Sequence, residues 1–148
     1  MTVEELAAQL STDLEQVVGL LRSLIQPSAL SMTAAATLSS LERTGPSRLT
    51  VLAAREGVTQ PAMTQLISRL QDAGLVSREA DPADGRVVQV SITDEGRATL
   101  ARRRARRAER LAGILAQLSP EHCAALAAAL PALDALASAR RDDEPVPV

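Results

Sequence analysis

Residues 50–76 read TVLAAREGVTQPAMTQLISRLQDAGLV, and this stretch spells two helices split by a tight turn. Thr50 is placed to cap the first helix, which runs to about Glu56. Gly57 follows at the position just past a helix end, where a left-handed backbone is cheap only for glycine. Thr59 caps the second helix, and Pro61 falls in its first turn, where the missing N–H costs nothing. Met63, Leu66, Ile67 and Leu70 recur at the spacing of one buried helical face, and Gly74 closes the helix. Two helices crossing at such a turn need a small residue near the crossing and apolar residues to lock the second helix. Ala53 supplies the first, and Val58, Met63 and Leu66 supply the second.

That set of constraints is the geometry of a helix-turn-helix, although an alanine-rich helical hairpin meets part of it by composition alone. The residues beyond Gly74 narrow the choice. The hydrophobic period changes from 3.6 to 2: Val76, Arg78 and Ala80 alternate with polar neighbours, as do Val88, Val90 and Ile92. Between them lies Asp81-Pro82-Ala83-Asp84-Gly85-Arg86, a turn-rich tip with an Asp-Gly step. A two-stranded hairpin with an arginine-bearing loop directly after a helix-turn-helix makes a winged helix. Its second helix suits the major groove, and its wing arginine suits the negative potential of the minor groove.

The flanks are helical. Thr2 and Glu5 form a capping box, and Leu6, Leu10, Leu14, Val17, Leu21 and Leu24 recur at helical spacing until Pro27. Ser31 caps a short helix that carries Ala34, Ala35, Leu38 and Leu41 and stops at Gly45-Pro46. Thr93 caps a long helix running to about Leu118, with Asp94 and Glu95 placed against its positive end. Ser119-Pro120-Glu121 starts a last helix with Leu126, Leu130, Leu133 and Leu136, which Pro131 is expected to bend or break. Residues 142–148 are charged and proline-rich and read as a disordered tail. The fold class is therefore mainly α with a small β-hairpin wing. Residues 30–96 form the winged helix-turn-helix, flanked by the helical regions 1–29 and 97–141.

Composition bears on partners. The 148 residues include no Phe, Tyr or Trp, so the core is aliphatic and gains from burial against a second copy. All 16 basic residues are arginine, and the net charge of -2 hides an uneven distribution. Residues 43–110 hold thirteen Arg against eight acids, while the segments on either side are net acidic. A single Cys and a single His leave no disulfide, no metal set and no cofactor to expect, and no catalytic group has an orienting partner. An enzyme is therefore not the reading. No apolar run approaches the roughly 20 residues that span a bilayer. The N-terminus opens acidic at Glu4 and Glu5, unlike a targeting segment, so a cytoplasmic protein without a membrane partner is expected.

On these residues the chain resembles the MarR family of bacterial transcription regulators. The resemblance is carried by Leu52-Ala53, Gly57 to Thr64, Arg69-Leu70, Gly74-Leu75-Val76 and Thr93-Asp94-Glu95-Gly96. The family's Asp-x-Arg wing signature stands as Asp84-Gly85-Arg86. It implies a homodimer, with 1–29 and 97–141 as the dimerisation region and 30–96 as the DNA-binding domain, that places one recognition helix in each half of a palindromic, double-stranded operator. Gln60 and Gln65 are then candidates for base edges, Pro61 for a thymine methyl, and Thr59, Thr64 and Arg69 for phosphates. Arg86 would enter the minor groove, with Asp84 orienting its guanidinium, and Ser47, Arg48 and Thr50 would meet the phosphate backbone. Many relatives respond to small aromatic acids. Without an aromatic side chain, the expected ligand here is a small amphipathic anion, held by Arg22 or Arg43. The other reading kept open is a winged helix that binds protein and not DNA.

Two features carry less weight. The run Arg102-Arg103-Arg104-Ala105-Arg106-Arg107 reads as a solvated helix balanced by acids of a partner subunit more readily than as a DNA contact. Cys123 invites a redox role, but the sensing cysteine of oxidant-responsive relatives sits near the first helix. Cys123 reads as a small residue packed at a dimer seam.

Overall fold

The first helix begins where its capping box dictates. The Thr2 N–H donates to Glu5 Oε2 at 2.8 Å, and the Glu5 N–H donates to Thr2 Oγ1 at 3.1 Å, so α1 spans Val3–Leu24. The computed structural model describes residues 1–24 and 30–142, so Pro27 and residues 143–148 of the expected tail lie outside the described residues. The chain divides into two compact units, Met1–Ala108 and Glu109–Val148.

In the first unit, Ser31 caps α2 (Met32–Thr44) by accepting from the Ala34 N–H at 3.1 Å. A two-residue strand comes next, β1 (Ser47–Arg48), which the sequence pattern does not announce. The chain then enters α3 (Leu49–Glu56), whose N-cap is Arg48 and not Thr50. Thr50 is already inside the helix, because β1 hands the chain over one residue earlier than a threonine cap would require. Gly57 takes the left-handed conformation (φ 64°, ψ 32°), and the N–H groups of Gly57 and Val58 close the turn on the Ala54 and Ala53 carbonyls. Thr59 then caps α4 (Gln60–Asp72) through the Ala62 N–H, with Pro61 in its first turn.

The hairpin is β2 (Val76–Ala80) and β3 (Val88–Ile92). It is not two-stranded alone: β1 pairs antiparallel with β3 through Ser47↔Val90, giving the order β1-β3-β2. The alternation holds at the base, where Val76, Val90 and Ile92 are buried, and fails toward the tip, where Val88 is 45% exposed. The core gathers one face from each element: Leu38 and Leu41 of α2, Leu52 of α3, Met63 and Ile67 of α4, and Val90 of β3. Each such side chain contributes about 1.5–3 kcal/mol on burial. Ala53 is buried at the α3–α4 crossing, as its size requires.

The long helix α5 (Asp94–Leu115) starts at a joint with the end of the recognition helix. Thr93 Oγ1 donates to the Gly74 carbonyl at 2.6 Å and accepts from the Gly96 N–H at 3.0 Å. The Thr93 N–H donates to the Leu75 carbonyl at 3.1 Å. The helix ends at Leu115, short of the expected Leu118.

In the second unit, α6 spans Pro120–Asp142, so the helix takes in the first residue of the expected tail and carries Pro131 inside it without a break. Leu126, Leu130, Leu133 and Leu136 are exposed along it. Counting uninterrupted apolar residues understates this segment. By length and composition Pro120–Ala139, with mean hydropathy 1.4, is long and apolar enough to cross a bilayer. Glu121 and Asp134 interrupt the run without lowering its mean enough to exclude it.

Gly96 is the residue the joint cannot replace. A Cβ there would collide with the Leu75 carbonyl oxygen and lie 2.8 Å from Ile92 Cγ1. Gly96→Ala is expected to cost about 1–3 kcal/mol or more, since backbone cannot yield as a side chain can. The midpoint of denaturant unfolding measures this, and an unchanged midpoint would remove the close approach.

Candidate nucleic-acid interface

The recognition helix has two chemically distinct sides. Met63, Leu66, Ile67 and Leu70 are buried, which turns Gln60, Pro61, Thr64, Gln65 and Arg69 outward. Two hydroxyls of this face are used by the helix itself. Thr59 Oγ1 is the cap and keeps its O–H and one lone pair, and Thr64 Oγ1 donates to the Gln60 carbonyl at 2.9 Å and keeps both acceptor sites. Gln60, Gln65 and Arg69 make no side-chain hydrogen bond among the described residues, so their polar ends are free to meet a ligand.

Arg48, Thr50 and Ser47 lie before and at the start of α3. Arg48 and Thr50 are exposed, whereas Ser47 is buried. The Ser47 hydroxyl donates to the Gly45 carbonyl at 3.1 Å and accepts from Arg55 Nη1 at 3.2 Å, and so serves the junction of α2 with α3. Arg55 also donates to Thr44 Oγ1 at 3.0 Å.

The wing loop is ordered by its carboxylates. Asp84 Oδ1 accepts from the backbone N–H of Arg86 at 3.1 Å. Asp84 therefore shapes the turn, and the expected contact with the Arg86 guanidinium is replaced by one with its main chain. The side chain of Arg86 is exposed. Asp81, which the sequence offers only as a turn residue, is buried and accepts from the Ala83 N–H at 2.8 Å and from Arg48 Nη2 at 3.2 Å. Arg78 Nη2 donates to Ser68 Oγ at 2.9 Å, tying β2 to the recognition helix, while its Nε is buried without a partner. The one signal for Arg78 is its register with Val76 on the inward face of the hairpin. The reach of Asp81 to Arg48 has no local signal, because 33 residues separate them.

Two arginines of the run on α5, Arg102 and Arg104, pair with acids of the chain itself. Arg102 pairs with Glu95 at 2.8 Å and holds its carboxyl below the usual range. Arg104 pairs with Glu42 at 2.8 Å, and Arg103 donates to the Leu30 carbonyl at 2.7 Å. Burial, with the nearby Arg107, pushes the Arg103 guanidinium down from its ordinary value. Arg103, Arg104 and Arg107 line a cleft of about 220 Å³ whose apolar wall includes Met32, Ala35 and Leu100. Neither expected anion holder lines it: Arg22 is exposed on α1, and Arg43 donates to Ser39 Oγ at 2.9 Å. In the second unit, Cys123 Sγ donates to the Leu115 carbonyl at 3.5 Å. No group of three His, Cys, Asp or Glu among the described residues could hold a metal ion.

A family model described as MarR family matches residues 30–88. An HTH-type transcriptional regulator of Mycobacterium leprae is 38% identical over 102 residues, which is 68% of this chain and 71% of the relative. One of Mycobacterium bovis is 36% identical over 114 residues, 77% of this chain and 80% of the relative. Among solved structures, a transcriptional regulator of Pseudomonas aeruginosa is 32% identical with a TM-score of 0.74, covering 93% of this chain and 98% of the other. A MarR family protein from Bacillus stearothermophilus shares the fold, with a TM-score of 0.72 at 20% identity over 93% and 99% of the two chains.

The Ala83 N–H, with help from Arg48, holds the Asp81 carboxyl below its ordinary 3.8 against the opposing effect of burial. A depressed carboxyl pKa means that its wing contacts are at full strength above 3.8 and fade as pH falls through the lower folded value. The amide signals of Ala83 and Val87 are therefore expected to titrate with a midpoint below 3.8, and Asp81→Asn is expected to abolish that titration. A midpoint at or above 3.8 would contradict the assignment.

Proposed function

The chain belongs to the MarR family of HTH-type transcriptional regulators, a non-enzymatic, DNA-binding family, and from that footing we propose that it is a repressor that grips an inverted-repeat operator as a homodimer and is released by a small amphipathic anion. The family's DNA-binding role takes precedence over a winged helix that binds only protein. The observation that carries the proposal is the exposed row of Gln60, Pro61, Thr64, Gln65 and Arg69 on a helix fixed in place by the Gly57 turn, with Arg86 on a wing in the same unit. Gln60 and Gln65 read base edges, and Pro61 packs on a thymine methyl. Thr59, Thr64, Arg69, Arg48 and Thr50 engage phosphates, with Ser47 supporting them from beneath. Arg86 enters the minor groove, and Asp84 sets the turn that presents it.

Two features support the homodimer. The helix α1 has no buried residue yet exposes Leu6, Leu14, Val17 and Leu20. The leucines of α6 recur at 126, 130 and 133, a stripe that suits a partner helix. Residues 30–96 then serve as the DNA-binding part, with 1–29 and 97–141 as the dimerisation region, in the cytoplasm where the operator lies. The cleft beside Arg103 and Arg107 is the site for the anion: aliphatic walls take its apolar part, and two guanidinium groups one helical turn apart take its charge.

Selection from a random duplex pool at two salt concentrations tests the core of the proposal. An inverted-repeat consensus is expected, with an affinity that falls steeply with salt. No enrichment at either salt would overturn it. On the selected site, Arg86→Ala is expected to weaken binding by about 1–3 kcal/mol with the melting midpoint unchanged, and equal affinity would take Arg86 out of the interface. For the ligand, aliphatic carboxylates are expected to raise the melting midpoint and release the operator. Arg107→Ala should remove both effects, and their persistence in that variant would place the anion elsewhere.

A further inference from the structure

Asp81 stands at the mouth of the wing loop with only 8% of its surface exposed, and its carboxylate joins three parts of the sheet. Oδ1 accepts from the Ala83 N–H inside the loop at 2.8 Å. Oδ2 accepts from Arg48 Nη2 on β1 at 3.2 Å and from Gln89 Nε2 on β3 at 3.3 Å. The Asp81 N–H donates to the Val87 carbonyl at 2.8 Å, so the backbone closes the loop at the same residue. The strand β1 is two residues long and pairs only with β3, which separates it from β2. The Arg48–Asp81 bridge therefore spans the middle strand and ties the start of α3 to the wing. Arg48 is itself 51% exposed, so part of its guanidinium is fixed by Asp81 while its remaining donors face solvent.

We propose that Asp81 is a positioning residue of the DNA interface: it aims the free donors of Arg48 at a backbone phosphate and fixes the loop that carries Arg86. The inference rests on the DNA-binding reading of those two arginines. It differs in sign from plain electrostatics. Neutralising a carboxylate beside a phosphate-binding surface would, on charge alone, tighten binding. Losing the positioning loosens it.

The test uses Asp81→Asn and Arg48→Ala, singly and together, in the full-length protein on its selected operator. Asp81→Asn is expected to bind about tenfold more weakly. Its slope of log affinity against log salt should be shallower by about 0.9, one phosphate contact, which a general loss of stability would not change. Arg48→Ala should match it in slope, and the double variant should be no weaker than Arg48→Ala. Binding by Asp81→Asn equal to or tighter than the parent, or additive losses in the double variant, overturns the inference. Should Asp81→Asn fail to fold, Arg48→Ala decides through its slope, because half its side chain is already in solvent. Hydrogen exchange of the free protein separates this inference from the reading on which it rests. The Ala83 and Val87 amides should exchange about tenfold faster in Asp81→Asn while those of α4 keep their rates. Unchanged wing exchange overturns the latch whatever the DNA result. A parent protein whose wing is protected by Asp81 yet binds no duplex overturns the DNA role of both arginines.

Discussion

The joint at Thr93 is the constraint on which the rest of the first unit depends. One hydroxyl caps α5 by accepting from the Gly96 N–H and bonds back to the Gly74 carbonyl where the recognition helix has just ended. The adjacent backbone bond from Thr93 to Leu75 closes the same point. Gly96 then lets α5 start against the backbone of Leu75. The last turn of the recognition helix, the base of the wing and the first turn of the long helix are thereby one rigid piece. A helix that ends in two bonds to a neighbour's cap cannot rotate about its own axis. The outward direction of Gln60, Gln65 and Arg69 is fixed by that restraint as much as by their spacing.

Arginine without lysine gives this small unit its polar framework. A guanidinium has five donors in a planar fork, so one group can serve several acceptors at once. Arg55 bridges Thr44 and Ser47, Arg78 reaches Ser68, Arg48 reaches Asp81, and Arg104 reaches Glu42 and Ser39. With no aromatic residue to fill space, these forks join elements that an aliphatic core of modest area would hold less firmly. The basic middle of the chain is therefore only partly a surface for phosphates. Exposed pairs such as Arg102–Glu95 add little stability, because solvent screens them. They neutralise Arg102 and Arg104, whereas Arg103 and Arg107 have no carboxylate partner among the described residues and keep their charge beside the cleft.

The cleft is walled in part by α2, which also packs against α3, the first helix of the turn. Arg104 pairs with Glu42 on α2, and Ser40 and Thr44 on its far turn lie within reach of Arg55 of α3. Arg103 bonds to the Leu30 carbonyl just ahead of α2, and Arg104 beside it bonds to Ser39 and Glu42 on α2.

What the sequence determined by itself is the set of features written within four residues. The Thr2–Glu5 box, the caps at Ser31, Thr59 and Thr93, the left-handed Gly57 and the buried face from Met63 to Leu70 are all local, because a helix cap is satisfied three residues on and a helical face repeats every three or four. From these the winged helix-turn-helix and its exposed row could be read. Tertiary structure alone decided the rest. The strand β1 is too short for any period to show, and it displaced the cap expected at Thr50. Asp81 meets Arg48 across 33 residues, Arg104 meets Glu42 across 62, and Arg103 meets Leu30 across 73. An arginine side chain is long and carries donors in several directions, so its partner is chosen by whichever acceptor the folded backbone brings within about 3 Å. No spacing along the chain encodes that choice.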